Sequence, residues 1–116
     1  MLAMQASGDG FWEIDLSDGS AWFSDWFYQR LGWTESGRRA AFNDLRPHLS
    51  PESWDSLLRA MRAHLEQRTP LDARFQVRIS ADRIEHWQMH GSAQRNDQGH
   101  PSHFAGIMRV TTGSHE

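Results

Sequence analysis

The chain has 116 residues, thirteen of them aromatic, which is enough for one domain with a single core. It contains no cysteine and no lysine, and these absences exclude disulfides, thiolate chemistry, cysteine-ligated zinc and Schiff-base catalysis. The formal net charge of −3 argues against a surface that binds nucleic acid or a membrane. No apolar run approaches the ~18 residues of a membrane span, and residues 1–8 lack a signal-peptide pattern. We therefore expect a cytoplasmic protein.

The first predicted elements are a partial helix and a strand hairpin. Residues 1–9 read as a short, incomplete N-terminal helix followed by a glycine-rich joint. Residues 11–16 then alternate apolar and polar side chains, which is typical of a half-buried strand. A Ser-Asp-Gly-Ser turn leads into a return strand that begins at Ala21, so this stretch predicts a β-hairpin.

Two helices follow, each preceded by a serine that can cap its first turn. Ser24 precedes residues 25–31, and we expect its hydroxyl to accept a backbone amide of that helix. Ser50 precedes Pro51, which is tolerated at a first helical position, and the helix is expected to extend to about residues 66–68. Its apolar residues recur with helical spacing, which indicates core packing. They are Trp54, Leu57, Leu58, Met61 and Leu65.

Three consecutive strands are predicted between residues 71 and 112. The runs 71–80 and 84–95 alternate apolar and polar residues, and the run 104–110 is apolar on both faces, as in a central strand. Short polar turns join the three runs. Together with the hairpin, they predict an α+β fold, in which short helices and one longer helix pack on one face of a five-stranded antiparallel sheet.

Several short motifs occur in a fixed order along the chain. They are Gly10–Leu16, Ser24 with Leu31–Trp33, Pro51, Arg78 with Asp82 and Trp87, and Gly99–Pro101 with Gly106. In this order and spacing the chain resembles a PAS domain, the sensory fold of bacterial signalling proteins. The resemblance implies a single sensor domain over residues 1–116, excised from a longer protein, with a C-terminal tail at residues 113–116.

The sequence departs from the family pattern at two places. The family's Asp-Gly turn reads Asp82–Arg83 here, so Arg83 is expected to adopt a positive φ at some strain. The family's closing Asp-Ile-Thr is replaced by Val110–Thr112, which puts coupling to a following output domain in doubt but leaves the fold unaffected.

The resemblance implies a sensory and dimerising module of a bacterial signal-transduction protein such as a histidine kinase or a diguanylate cyclase. Such a module senses a small molecule in the cleft between sheet and helices and acts on an output domain outside this chain. Two alternatives stay open: a ligand-free PAS-like dimerisation module, and a small α+β enzyme with a conical pocket. The enzyme is the weaker alternative, because no Ser/His/Asp spacing or paired carboxylates on one element stand out, so we expect no catalytic residues.

The two faces of the three-stranded segment can be assigned in two ways. Apolar alternation places Phe75, Val77 and Trp87 inward, whereas the resemblance places Trp87 on the outer surface and Arg78 and Gln88 toward the cleft. We adopt the second orientation. Its outer apolar patch, too large to leave exposed, consists of Phe11, Phe75, Val77 and Trp87. The patch predicts a homodimer formed through this face and the N-terminal helix.

The same orientation predicts a ligand pocket between the sheet and the helices. Its apolar lining is expected from Trp12, Ile14, Phe27, Phe42, Trp54, Leu58, Met61 and Met108. Arg78, Gln88 and His90 would converge on it, and because a guanidinium pairs well with a carboxylate, a small apolar acid anchored by Arg78 is the expected ligand. In the competing account the lining is plain core, and Arg78 lies on the outer face, in water or paired with Glu85 or Asp72.

We expect no coloured cofactor and no metal ion. A flavin–cysteine adduct is excluded by the absence of cysteine. Haem ligation by His64 on the long helix is disfavoured, because this residue lies well off the centre of the apolar stripe. His86 and His90 share one face of a strand but are ~13 Å apart, too far to bind one ion without a third ligand between them.

Overall fold

The structure, a computed structural model, describes residues 9–34 and 40–111. In chain order its elements are β1 (Gly10–Asp15), β2 (Ser20–Phe23), α1 (Asp25–Leu31), β3 (Ala40–Ala41), a 3-10 helix η1 (Phe42–His48), α2 (Pro51–Gln67), β4 (Leu71–Ser80), β5 (Arg83–Arg95) and β6 (Pro101–Val110). The predicted N-terminal helix and C-terminal tail lie outside the described residues.

The strands form one antiparallel sheet in the order β3-β2-β1-β6-β5-β4. Because β1 pairs with both β2 and β6, the first hairpin and the three-stranded segment share this sheet. The predicted α+β fold is confirmed, but the predicted strand number of five is wrong. The sixth strand, Ala40–Ala41, pairs with Ser20 and Ala21. A two-residue strand has no alternation for a sequence pattern to reveal.

The two serines before the helices behave differently. The Ser50 hydroxyl oxygen accepts a hydrogen bond from the Ser53 amide at 3.1 Å, so it caps α2 as predicted. Ser24 makes no such bond to α1, and that prediction is wrong. Its hydroxyl oxygen instead accepts the Phe11 amide at 2.9 Å, which ties the start of α1 to β1. The competing donor lies in a neighbouring strand, which local sequence cannot show.

The inner face of the sheet, which the helices cover, is built around Trp12. The indole lies against Gly91, which is opposed to Gly106 across β5 and β6. A Cβ on Gly91 would lie 2.6 Å from Cζ2 of Trp12, and one on Gly106 would lie 1.9 Å from the carbonyl oxygen of His90. Both positions therefore require glycine for close approach.

Trp87 lies on the inner face, so the adopted orientation of the strands is wrong. Its side chain is fully buried, with ring centroids 4.8 Å from Trp26 and 5.9 Å from Phe27 on α1. Two other members of the predicted outer patch are also buried in the core: Phe75 and Val77. Only Phe11 remains on the outer face, where it is half-buried. Apolar alternation was the correct guide, because successive side chains of a strand point to opposite faces.

The turn between β4 and β5 also differs from expectation. Ser80 pairs with Arg83, so the turn residues are Ala81 and Asp82, and a register shift between Arg78 and Ser80 adjusts the strand before them. Among the described residues that are not glycine, only Arg68 has a positive φ. The expected strain at Arg83 is therefore absent, because this residue already belongs to β5.

Candidate functional site

The apolar residues predicted to line a pocket come together between the sheet and the helices. Six of them belong to the buried core: Trp12, Ile14, Phe27, Trp54, Met61 and Met108. Phe42 and Leu58 are partly buried and pack against that core, and the rings of Phe42 and Trp54 stack with centroids 5.2 Å apart. Their shared location is consistent with a cleft lining and with plain core, so ligand binding there stays a prediction.

The three polar anchors predicted for the pocket lie on the outer face, away from this lining. Gln88 donates from Nε2 to the Asp72 carboxylate at 2.9 Å, and His90 is half-buried opposite Asp72 on the neighbouring strand. Arg78 is exposed and donates to the carbonyl of Ala81 at 3.3 Å. The expected convergence of these groups on the cleft is therefore wrong, since they have the opposite strand parity to Trp87. Arg78 also pairs with neither acid considered for it.

A buried carboxylate that the sequence analysis did not single out lies on the inner face. Glu85 is 4% exposed, and its Oε1 accepts hydrogen bonds from Arg30 Nε and Trp87 Nε1, both at 3.0 Å. Its Oε2 accepts one from Arg83 at 2.9 Å. Arg30 also stacks on the ring of Trp26 on α1. This cluster joins α1 to β5, and the parity that Glu85 shares with Trp87 could have revealed it.

Opposing effects set the acidity of Glu85. Burial raises its pKa, while hydrogen bonds from Trp87 and Arg30 and the charges of Arg30 and Arg83 lower it. The lowering effects prevail, so the pKa of Glu85 is below its usual value. The carboxylate is thus ionised at neutral pH and acts as a structural anion between three donors.

His64 bridges the end of α2 to two strands. Its Nε2 accepts the Ala93 amide at 3.1 Å, which leaves the hydrogen on Nδ1 to be donated to the Thr69 carbonyl at 2.6 Å. Leu71 pairs with Gly91, so Thr69 and Ala93 face each other two residues beyond that pair. The imidazole takes the place of a backbone hydrogen bond between them. Both ring nitrogens of His64 are therefore engaged in hydrogen bonds.

A concave site of about 110 Å³, here called the edge groove, lies beside the outer edge of β4. It adjoins His48 and is lined by Pro47, Leu49, Ser50, Gln76, Arg78 and Ile84. His48 Nε2 accepts the indole hydrogen of Trp33 at 3.1 Å, and Nδ1 donates to the backbone carbonyl of Arg78 at 3.2 Å. His48 therefore connects the groove to the segment after α1.

A second concave site, of about 220 Å³, lies on the outer face over β1 and β2. It is lined by Glu13, Asp15, Trp22 and His103, with Ser20 and Ala21. Hydrogen bonds from the Ser17 hydroxyl and amide lower the pKa of Asp15, so this carboxylate is ionised at neutral pH. Trp22 is 53% exposed, which makes it the most exposed large apolar side chain on this face.

Neither a metal-binding cluster nor a membrane-spanning helix is present in the described part of the chain. No group of three or more histidine, aspartate or glutamate side chains there is arranged to hold a metal ion. No described helix has the length and apolarity required to cross a membrane.

Several solved structures are similar to this chain, whereas no protein-family model and no curated protein matches it. A sensory box histidine kinase/response regulator from Burkholderia thailandensis is 24% identical, with a TM-score of 0.77 over 96% of this chain and 82% of that chain. The N-terminal domain of a diguanylate cyclase with PAS/PAC sensor from Marinobacter aquaeolei is 15% identical, with a TM-score of 0.78 over 93% of this chain and 99% of that chain. A LOV protein from Rhodobacter sphaeroides is 15% identical, with a TM-score of 0.69 over 93% of this chain and 62% of that chain.

The similarity extends over nearly the whole chain and includes the order of the strands and helices described above. At these identities it defines the fold, and the expectation drawn from the sequence motifs is confirmed. The chain has the PAS fold.

Proposed function

We propose that the chain is a sensory and dimerising module of a signal-transduction protein, without catalytic activity of its own. The observation that carries the proposal is the match to the N-terminal domain of the diguanylate cyclase with PAS/PAC sensor, which spans 93% of this chain and 99% of that one. The two domains therefore correspond in extent as well as in fold. A fold alone does not define a function, so the site and an experiment must carry the rest.

The proposed dimer contact is the centre of the outer face. Phe11 and Ile107 oppose each other on β1 and β6, and the exposed Trp22 lies beside them on β2. Exposed aromatic side chains of this kind are typical of interaction surfaces.

The cleft, if it accepts a ligand, would take an uncharged apolar molecule, because the groups expected to anchor an acid face the other way. The alternative is a module that binds nothing in the cleft. The close packing of Trp12 against Gly91, and of the β5 backbone against Gly106, favours this alternative. We also propose that no cofactor resides there, since the sequence has no cysteine and the nitrogens of His64 are engaged.

A chimera tests the proposal: the chain replaces the sensor domain of a diguanylate cyclase, and self-association and cyclase activity are measured together. We expect Trp22→Arg to lower both, because it would place a guanidinium in an apolar contact. Asp97→Arg, in the exposed turn after β5, is the matched control and should change neither. Unchanged cyclase activity in a Trp22→Arg chimera that no longer dimerises would contradict the proposal.

A further inference from the structure

The edge groove combines a positive charge with several free hydrogen-bond donors. Arg78 is its single charged lining residue, and neither aspartate nor glutamate lines it. The Nε2 of His48 is already engaged, because it accepts the indole hydrogen of Trp33. The electrostatic character of the groove is therefore that of a small anion site.

Three side chains that line the groove have hydrogen-bond donors that are not used in contacts with the described residues. Arg78 uses one nitrogen on the carbonyl of Ala81, which leaves the rest of its guanidinium available. The Ser50 oxygen accepts the Ser53 amide, so its hydroxyl hydrogen remains to be donated. The side-chain amide of Gln76 makes no hydrogen bond to any residue in the ranges 9–34 and 40–111.

The other residues that line the groove are apolar: Pro47, Leu49 and Ile84. Ile84 lies directly across from Arg78 on the neighbouring strand, and its side chain is 46% exposed. A volume of about 110 Å³ admits a polar head and a short chain. A hydrocarbon surface directly beside the Arg78 donors matches a molecule with a carboxylate at one end and an aliphatic tail.

We propose that the edge groove binds a short-chain aliphatic monocarboxylate of roughly three to five carbons. The carboxylate pairs with Arg78 and accepts from Gln76 and Ser50, and the tail lies on Ile84. The site is distinct from the cleft between sheet and helices, and its occupancy does not depend on the proposed sensor function. Because His48 contacts both the Arg78 carbonyl and Trp33, a bound acid is positioned to alter the environment of the Trp33 indole.

The experiment is an NMR titration of the full chain with butyrate, followed at the indole N–H signals of Trp33 and Trp12. We expect a saturable shift at Trp33 and none at Trp12. Arg78→Gln should weaken binding about tenfold or more, as expected for loss of a charged hydrogen-bonding partner. The matched control is Arg74→Gln, an exposed arginine of the same strand and face outside the groove, which should bind butyrate as the unaltered chain does.

Ligand and variant controls make the result decisive. Butan-1-ol and butylamine carry the same tail without the carboxylate and should not saturate the Trp33 signal. Gln76→Glu places a negative charge in the groove and should abolish binding, which provides a second variant independent of Arg78. Equal affinity for butan-1-ol, undiminished binding by a folded Arg78→Gln, a shift at Trp12 instead of Trp33, or tighter binding of an N-acetylated dipeptide than of butyrate would each overturn the proposal.

Discussion

The two faces of the sheet differ in how their side chains are packed and in how polar they are. On the inner face, Trp12 packs against Gly91, and Trp87 packs between α1 and the sheet, with Glu85 as the one buried charge among the described residues. On the outer face, polar side chains satisfy one another in pairs such as Gln88 with Asp72. An exposed tryptophan and two concave sites also lie at or beside that face.

The difference separates stability from interaction. Inner-face residues have close neighbours that cannot move, so changes there are felt as lost folding free energy. The side chains of outer-face residues such as Trp22 are exposed to solvent. Substitutions of these residues should therefore alter self-association and leave the fold intact. The substitutions below test that division, beginning with the largest expected effect.

Gly106→Ala should cause the largest loss of stability. The added Cβ would lie 1.9 Å from the carbonyl oxygen of His90, a backbone atom that cannot move without disturbing the β5–β6 pairing. We expect a loss of about 3 kcal/mol in the free energy of unfolding, at the upper end of overpacking effects. Urea denaturation measures it, with Ser92→Ala on the exposed face as control. A loss below about 1 kcal/mol would show that the inner face is less rigid than described.

Glu85→Ala should cost about 2 kcal/mol, because it leaves the buried indole N–H of Trp87 without an acceptor. The half-exposed arginines that also contact Glu85 can turn to water, which limits the loss. Glu13→Ala removes an exposed outer-face carboxylate and should change stability by less than about 0.5 kcal/mol. Equal effects of the two substitutions, measured by urea denaturation, would contradict the division between faces.

The acidity of Glu85 predicts a pH dependence of folding. Its pKa is lower in the folded chain than in the unfolded chain, so the unfolded state binds more protons at acid pH. The stabilisation is therefore fully present above the unfolded pKa and is lost as pH falls through the folded pKa. We expect Glu85→Gln to flatten the loss of stability on the acid side, measured by urea denaturation from pH 7 downward. Glu13→Gln serves as control and should retain the slope of the unaltered chain.

Trp22→Ser should have the smallest effect on stability, within about 0.5 kcal/mol, because more than half of the side chain is already in water. It should nevertheless weaken self-association, which dilution experiments by light scattering can detect. Unfolding at a markedly lower urea concentration would show instead that Trp22 belongs to the core.

The fold could be predicted from the sequence because its signals are local. Alternation marked the strands, and Ser50 with Pro51 marked the start of the long helix. The two-residue strand Ala40–Ala41 could not be predicted, since its pairing with β2 is a tertiary contact. The cap expected at Ser24 does not form for the same reason. The Ser24 hydroxyl accepts a hydrogen bond from an amide of β1, which is also a tertiary contact.

The candidate site was harder to predict because it depended on which face of the strands turned inward. Alternation gave the correct answer for Trp87, and the family resemblance gave the wrong one. Arg78 therefore lies at the edge groove and not in the cleft, and its role as an anion partner stays a prediction. The edge groove itself joins η1, the residues between η1 and α2, and two strands, and no pattern within a single element could place these residues together.

Sedimentation equilibrium of the unaltered chain and of Trp22→Arg is the most direct test of the division between a structural inner face and an interacting outer face. The account predicts that the unaltered chain is a concentration-dependent dimer and that Trp22→Arg is a monomer. It also predicts the same urea denaturation midpoint for both when they are compared at concentrations where both are monomeric. An unaltered chain that stays monomeric at high concentration, or a Trp22→Arg variant that unfolds instead of dissociating, would contradict it.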